Sequence, residues 1–411
     1  MKRRVLITGV GVVSPVGIGK QAFWRALISG NCGIGPVRLF DASSYPCRIA
    51  AEVKKFDPAD YMSPKEARRS SRSTQFSLIA SQLALKDAGL PPGAGDPHRT
   101  GIVFGTALGP MDVIEKFCSL FYERGLRRVN PFFLGMINKN STIGALAGRF
   151  GMKGYNLSIA SGCSSGNVAI AAAFQAVASG LADVMLTGGV DTPISPSIFG
   201  LYAASRSLYS LEGDPRQSMR PYDKRREGFV LGEGAGALIL ETWEHARRRG
   251  PRAYAEILSA SLTNDAENPV VFSPSDREMT RAFVQALKEA GLGPADIDYI
   301  CSHAHSSLLL DRKETRIIKK VFGARAYQLP VSSIKATVGH SMAGGTAMQS
   351  IAACLALQKK ILPPTLNYEV PDPECDLDYV PKTARRKEIQ VALVDSFGLG
   401  GTNVVIILRC P

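Results

Sequence analysis

The stretch 158-SIASGCSSGNVAIAAAFQAVASG-180 runs from an apolar strand through a Gly/Ser turn into an Ala-rich helix. The strand, 155-YNLSIA-160, stops at Ala160, Cys163 sits in the turn, and the helix begins just after it. That order places a sulfur at a helix N-terminus. Free backbone N–H groups and the helix dipole there favour thiolate and lower its pKa. The same N–H groups can hold a developing oxyanion. The small residues 169-AIAAA-173 imply close packing beneath the turn. A buried structural role is commoner for cysteine in general, but it leaves the flanking glycine and serines unexplained.

Outward from this unit the pattern recurs. Strand candidates are 4-RVLITG-9, 101-GIVFG-105, 155-YNLSIA-160, 183-DVMLTGG-189, 236-GALILE-241, 253-AYAEILSAS-261, 297-IDYICSH-303, 389-IQVALVDSF-397 and 403-NVVIIL-408. Helical stretches such as 278-EMTRAFVQALKEAG-291 and 343-AGGTAMQSIAACLALQ-358 fall between them. Short β-branched runs alternating with helices predict an α/β protein with buried sheets. Ser63-Pro64-Lys65-Glu66 reads as a capping box with proline at the first helical position, and Gly89 closes the same helix. Lys65, Arg68, Arg69 and Arg72 then form a basic stripe on one face, which a solvated surface would also explain. The stretch 106–150 shows no clear period and reads as an insertion. No Pro-, Gly- or Ser-rich linker divides the chain, so its halves should form one compact unit.

The 411 residues carry a net charge of +13, spread over folded-looking segments rather than a basic tail. Such a balance favours an acidic partner. Nucleic-acid binders usually interleave aromatic residues with Lys/Arg or carry a recognisable motif. Neither is present, so a carrier protein or another acidic protein ranks above DNA or RNA. The eight cysteines show no CxxC pair and no disulfide-dense spacing, which reads as free thiols in a reducing compartment. Gly9, Gly11 and Pro15 interrupt the apolar run near the start, so Arg4–Thr8 reads as a buried first strand rather than a signal peptide. No apolar run is long enough to span a bilayer. These features predict a cytoplasmic protein without membrane partners.

The G9-V-G11-V-V-S14 pattern resembles a dinucleotide fingerprint, but Ser replaces the third glycine and Pro15 follows where a helix should start. No acidic residue stands at the required distance, so a nucleotide site is rejected. Of five histidines, His98 lies in a Pro/Gly loop and His245 in a basic helix, both as surface residues. His303 and His305 end a strand in 301-CSHAHSS-307, and His340 lies in 332-SSIKATVGHSMAGG-345. Histidines on two strand ends beside a poised cysteine suit acyl-thioester chemistry. Cys301, His303, His305 and His340 also have the ligand types of a zinc site. That reading leaves Cys163 and the glycine loops without a purpose.

The motifs 158-SIASGCSSG-166, 219-MRPYDKRREGFVLGEGAG-234, 332-SSIKATVGHSMAGG-345, 371-PDPECDLDYVP-381 and 396-SFGLGGTN-403 together resemble the elongating β-ketoacyl-acyl-carrier-protein synthases of the thiolase-like superfamily. The PDPECDLDYVP and SSIK…GHS segments are also similar to ketosynthase subunits of type II polyketide systems. The resemblance covers essentially the whole chain. It implies two βαβαβαββ halves, residues 1–250 and 251–411, with stacked five-stranded mixed sheets in an α/β/α/β/α arrangement. It implies a dimer, either of identical chains or with a homologous ketosynthase-like subunit. By the resemblance, Cys163 matches the acyl-accepting nucleophile, His303 and His340 the two family histidines, and Lys335 and Glu314 their supports. Phe229 and Phe397 match aromatic residues near the site, and 398-GLGG-401 the gating loop. The N–H groups of Cys163 and Leu399 match the oxyanion hole. Leu108, His305 and Ser307 fall at substrate-contacting positions.

The activity so implied is decarboxylative condensation of an acyl-Cys163 intermediate with malonyl-acyl-carrier protein, in fatty-acid or polyketide elongation. It requires no metal and no cofactor beyond the carrier's phosphopantetheine. The acidic carrier would meet Lys65, Arg68, Arg69, Arg127, Arg128 and Arg206. A non-condensing, chain-length-setting partner subunit is the alternative, but such subunits usually lack the nucleophile. The sequence also departs from the family's N-A-H-G-T-S-T: Cys301 replaces Asn, Ala304 replaces Gly, and His305 replaces a Thr. Gln349 replaces a glutamate of the usual structural cation site and Asp395 an asparagine. Leu399 replaces the usual Phe of the gating loop. These changes cluster around substrate access and imply an unusual acyl or carrier specificity.

Overall fold

The computed structural model describes residues 3–209 and 213–411. Ten strands carry the architecture: β1 (Val5–Ser14), β2 (Thr100–Gly105), β3 (Asn156–Ile159), β4 (Val184–Asp191), β5 (Gly234–Thr242), β6 (Ala255–Asn264), β7 (Tyr299–Cys301), β8 (Val331–Ser332), β9 (Val391–Phe397) and β10 (Thr402–Arg409). All nine strand segments read from the sequence are among them; β8 is the addition. Several, such as β1, β2, β4, β5 and β9, are buried along their whole length. That is why they read as continuous apolar runs instead of alternating ones.

The strands run in the order β8-β7-β9-β10-β6-β1-β5-β4-β2-β3. Within β1–β5, β1 is antiparallel to β5, β5 to β4, and β4, β2 and β3 are parallel neighbours. Within β6–β10, β6 is antiparallel to β10, β10 to β9, and β9, β7 and β8 are parallel. The two five-strand runs are joined where Val5–Ile7 pair with Ala255–Ile257. The sheet is therefore mixed and continuous through that short contact, rather than two wholly separate sheets.

Ten helices matter for the site: α1 (Pro64–Arg68), α2 (Arg72–Asp87), α3 (Met111–Arg124), α4 (Phe133–Ile137), α5 (Ser141–Phe150), α6 (Ser165–Ala178), α7 (Arg277–Ala290), α8 (Leu308–Phe322), α9 (Lys335–Val338) and α10 (Met342–Lys359). The helices α6 and α10 are buried almost all round and contact strands of both runs. Their apolar faces merge with inward side chains of both runs into one central core. The helices α2 and α5 cover an outer face of the first run, and α7 and α8 one of the second.

Close packing explains the glycines that mimic a nucleotide loop. A side chain on Gly9 or Gly11 would run into the α2 backbone at Ala84 or Ala80, so these residues let a helix lie against β1. The strand continues straight through them to Ser14, past the expected end at Gly9. Likewise Gly166 in α6 faces the Ala343 carbonyl of α10, where no Cβ fits. The central helices can therefore approach as the 169–173 run implied.

Two expectations need correction. The helix read from Ser63 to Gly89 is two helices. Ser63 and Glu66 form the expected capping box, but α1 ends at Arg68, and the Ser71 hydroxyl accepts from the Thr74 N–H at 3.2 Å to start α2. A second N-cap of this kind competes with helix continuation. Arg72 consequently leaves the basic stripe: its guanidinium turns inward to the fully buried Glu233, at 2.7 and 2.6 Å. The stretch 106–150, read as lacking a period, is largely helical, containing α3, α4 and α5.

Candidate active site

The turn before α6 holds Cys163 nearly closed from solvent, at 8 % exposure. Gly162 takes φ +58, a conformation that glycine adopts at little cost, and packs against Leu399. Gly398 lies against the same turn, so the 398–401 loop seats directly on the Cys163 turn. The backbone N–H groups of Leu399 and Cys163, the expected donor pair, both favour the ionised form of the sulfur. The expected depression of the thiol pKa is nevertheless absent. Burial, then the nearby Asp191 carboxylate, pushes the Cys163 thiol up to about 11 against Lys335 and these N–H groups. The N-terminal position alone suggested a thiolate; desolvation outweighs it in the closed pocket.

Three imidazoles cluster together rather than two. The ring of His303 lies 5.8 Å from that of His340 and 5.3 Å from that of His305, while His305 stacks on His340 at 5.0 Å. Phe229 meets His340 and His305 edge-on at 5.1 and 5.4 Å, and Phe397 meets His303 at 5.5 Å. All three histidines are held neutral. Burial, reinforced by the Lys335 charge, pulls His303 and His340 well below the ordinary value and His305 to about 3. Cys301 does not join them. The strand ends at Cys301, so the alternation that would align it with His303 and His305 stops there, and its thiol faces the Gln349 carbonyl at 3.6 Å. Among the described residues no group of three or more His, Cys, Asp or Glu is arranged to hold a metal ion.

Beneath His303 lies a buried charge cluster. Lys335 Nζ donates to the His303 carbonyl and approaches Nδ1 at 3.3 Å. An ammonium can only donate, so Nδ1 accepts, and the ring proton sits on Nε2. That nitrogen has no hydrogen-bond partner among the described residues and can donate to a ligand. The His303 backbone N–H donates to Glu314 Oε1 at 2.8 Å and to Asp395 Oδ1 at 3.0 Å. Burial lowers Lys335 to about 8 against the pull of Glu314 and Asp395. Burial and the Asp395 charge raise Glu314 well above the ordinary carboxylate range. The two carboxyls therefore share a proton, because like charges this close do not both ionise. Gln349 Nε2 donates to the backbone carbonyl of Asp395 at 2.8 Å and also reaches that of Cys301, bridging the two strands.

The remaining expected residues divide. The Leu108 N–H donates to Asp191 Oδ1 at 3.0 Å, and Asp191 also accepts from Thr106, Ala107 and the Ala343 N–H at the start of α10. Asp191, which sequence reasoning missed, thus ties the Leu108 loop to the helix that follows His340. The Ser307 hydroxyl accepts from the Leu310 N–H at 3.2 Å as the cap of α8. Lys65, Arg68, Arg69, Arg127, Arg128 and Arg206 are exposed, and none makes an ion pair among the described residues. The Arg69 guanidinium lies 4.0 Å from the Phe132 ring, which brings the α1 cations beside the turn carrying Arg127 and Arg128. Two quoted motifs are tied together by one buried arginine. Arg226, fully buried, donates to Asp372 at 2.8 Å and faces Asp311, joining the 219–234 and 371–381 segments.

Residues 2–246 match the model of the beta-ketoacyl synthase N-terminal domain and residues 254–369 that of the C-terminal domain. The chain is 40% identical over 408 residues to the 3-oxoacyl-[acyl-carrier-protein] synthase 2 of Synechocystis sp., covering 99% of this chain and 98% of that protein. It is 37% identical over 417 residues to the tetracenomycin polyketide synthase ketoacyl synthase alpha subunit of Streptomyces glaucescens, covering 100% and 98%. Among solved structures, a type II polyketide acyl-carrier protein in complex with its hexaketide-bound ketosynthase superposes with a TM-score of 0.93 at 31% identity. The match covers all of both chains. The ishigamide ketosynthase/chain length factor gives 0.92 at 30%, again over the full length of both.

Proposed function

From the premise that the chain belongs to the beta-ketoacyl synthase family, we propose that Cys163 carries the acyl group in a decarboxylative condensation. The chain is a 3-oxoacyl-acyl-carrier-protein synthase, a C–C bond-forming acyltransferase of fatty-acid or polyketide elongation. The residue assignment is supported by the 398–401 loop seated on the Cys163 turn, and by Phe229, which shares a core cluster with Cys163 and packs on His340 and His305.

The reaction proceeds in two halves. The Cys163 sulfur attacks the carrier thioester, its proton passing through a neutral imidazole to the departing carrier thiol. Burial holds the resting thiol protonated, so loss of its proton accompanies the attack. Malonyl thioester then binds with its carbonyl oxygen toward the Nε2–H of His303 and the imidazole of His340. The C–CO2 bond breaks, its electron pair forms the enolate, and those donors stabilise the charge. The enolate carbon attacks the acyl carbon, whose oxyanion rests on the N–H groups of Cys163 and Leu399. The C–C bond forms, the C–S bond breaks, and the Cys163 thiolate regains a proton. Lys335 acts through His303 by fixing its tautomer at Nδ1, and Glu314 and Asp395 hold the His303 backbone N–H.

Carrier docking is assigned to Lys65, Arg68, Arg69, Arg127, Arg128 and Arg206, whose charge would speed and orient encounter with an acidic protein. Leu108, His305 and Ser307 are assigned to the substrate arm, and Phe229, Phe397 and Leu399 to gating. The fold is read as two related βαβαβαββ halves, residues 1–250 and 251–411, in five layers. In support, adding five to each strand number of the order 3-2-4-5-1 gives the order 8-7-9-10-6 with the same strand directions. The working unit is read as a dimer with a second copy or a homologous subunit.

The test is product formation from acyl- and malonyl-carrier protein. One 3-oxoacyl-carrier should appear per CO2 released, and none with Cys163→Ala. CO2 release without a longer acyl chain would refute the assignment.

A further inference from the structure

The acyl group on Cys163 must pass two side chains that stand close to its sulfur. Met342 Sδ stands 3.4 Å from Cys163 Sγ, and the Tyr202 hydroxyl stands 3.8 Å from the same Sδ. The hydroxyl therefore lies no more than about 7 Å from the nucleophilic sulfur. The Tyr202 ring is fixed edge-on against Phe229 at 5.8 Å, and Phe229 in turn packs on His305 and His340. Burial, with the Cys163 and Asp191 charges near it, pushes this phenol above its ordinary value, so it is a proton donor throughout the working range. Its one acceptor among the described residues is a thioether, which accepts weakly.

Met342 is the movable member. It holds φ +47, unusual for a residue with a side chain, and methionine has three rotatable bonds. An acyl chain growing from the sulfur displaces its thioether, and the Tyr202 hydroxyl then loses the acceptor it had. By standard bond lengths, an oxygen on C3 of that chain lies about 5 Å from the sulfur when extended. That span can bring it within hydrogen-bonding reach of a hydroxyl that stands at most about 7 Å from the sulfur. A saturated chain passing the same point leaves the donor unpaired, which a partly desolvated site penalises.

We propose that Tyr202 determines substrate class: its hydroxyl donates to an oxygen on C3 of the Cys163-bound chain. The protein therefore extends 3-oxoacyl chains in preference to saturated ones. This rests on the assignment of Cys163 as the acyl carrier. No atom is transferred by Tyr202; it positions and selects.

The experiment compares acylation of Cys163 by the N-acetylcysteamine thioesters of 3-oxobutanoate and butanoate, read by intact-protein mass against time. The wild type should favour 3-oxobutanoyl by about tenfold, and Tyr202→Phe should bring the ratio near one. Leu201→Ala, altering the exposed neighbour, should keep the wild-type ratio. Equal rates in the wild type, or a preference that survives Tyr202→Phe, would overturn the inference while leaving Cys163 as nucleophile. Failure of both thioesters to acylate Cys163 would refute the condensing assignment itself, and the inference with it.

Discussion

Replacing Asp395 by asparagine should stabilise the protein, although it alters a fully buried residue beside the site. The Asp395 side chain accepts from the His303 N–H at 3.0 Å and faces Glu314, with Lys335 close by. Burial, opposed by the Glu314 hydrogen bond and the Lys335 charge, raises this carboxyl from 3.8 to about 6. At about 1.4 kcal/mol per tenfold change in a proton equilibrium, keeping it ionised near pH 7 costs up to about 3 kcal/mol. Asparagine fills nearly the same volume. Its oxygen can keep the His303 contact, its amide can donate to Glu314, and Glu314 is then free to ionise against Lys335.

The sign follows from proton uptake. Below pH 3.8 the aspartate is protonated whether folded or unfolded, so the two proteins are equivalent. Between pH 3.8 and 6 the unfolded chain releases its proton while the folded chain retains it, so the wild type loses stability as pH rises. Above pH 6 the deficit is complete. Thermal unfolding of Asp395→Asn against wild type, from pH 4 to pH 8, should therefore show a gain of a few degrees at pH 7.5 that mostly disappears near pH 4. A variant less stable than wild type at pH 7.5, or a gain independent of pH, would refute the shared-proton account of this cluster.

Gly166→Ala should force α6 away from the Ala343 carbonyl and lower stability by about 1–3 kcal/mol, visible as a lower Tm, with slower acylation of Cys163. Arg68→Glu with Arg127→Glu should raise KM for carrier-bound substrate at least tenfold and flatten its salt dependence, while acylation by a small N-acetylcysteamine thioester stays near the wild-type rate. Alkylation of Cys163 by iodoacetamide, followed by peptide mass, should rise about tenfold per pH unit from pH 8 to pH 10, as a thiol pushed up to about 11 requires. A plateau below pH 8 would mean that the helix terminus outweighs burial after all.

The legible part of this protein was its apolar backbone. Strands such as Val184–Asp191 and Val391–Phe397 are buried on both faces, so sequence alone shows them as β-branched runs between turn residues. The Cys163 turn was legible as a turn because glycine and serines stand there between an apolar strand and an Ala-rich helix. Less legible was anything settled by a distant partner. Arg72 follows the α1 cations at helical spacing, yet Glu233, remote in the chain, turns it inward. Arg226, Asp191 and Asp395 are charged residues that the pattern of apolar positions cannot place inside; each is buried because partners from other segments meet it there. The pKa of Cys163 was misjudged for the same reason. A helix terminus can be read locally, whereas desolvation depends on the whole enclosure around it.

The most direct test of the central claim is intact-protein mass spectrometry after exposure to a panel of acyl carrier proteins bearing different acyl groups. The account predicts a single acyl adduct, mapped to Cys163 by peptide mass and discharged when malonyl-carrier protein is added. An adduct on another residue, or none across the panel, would contradict it.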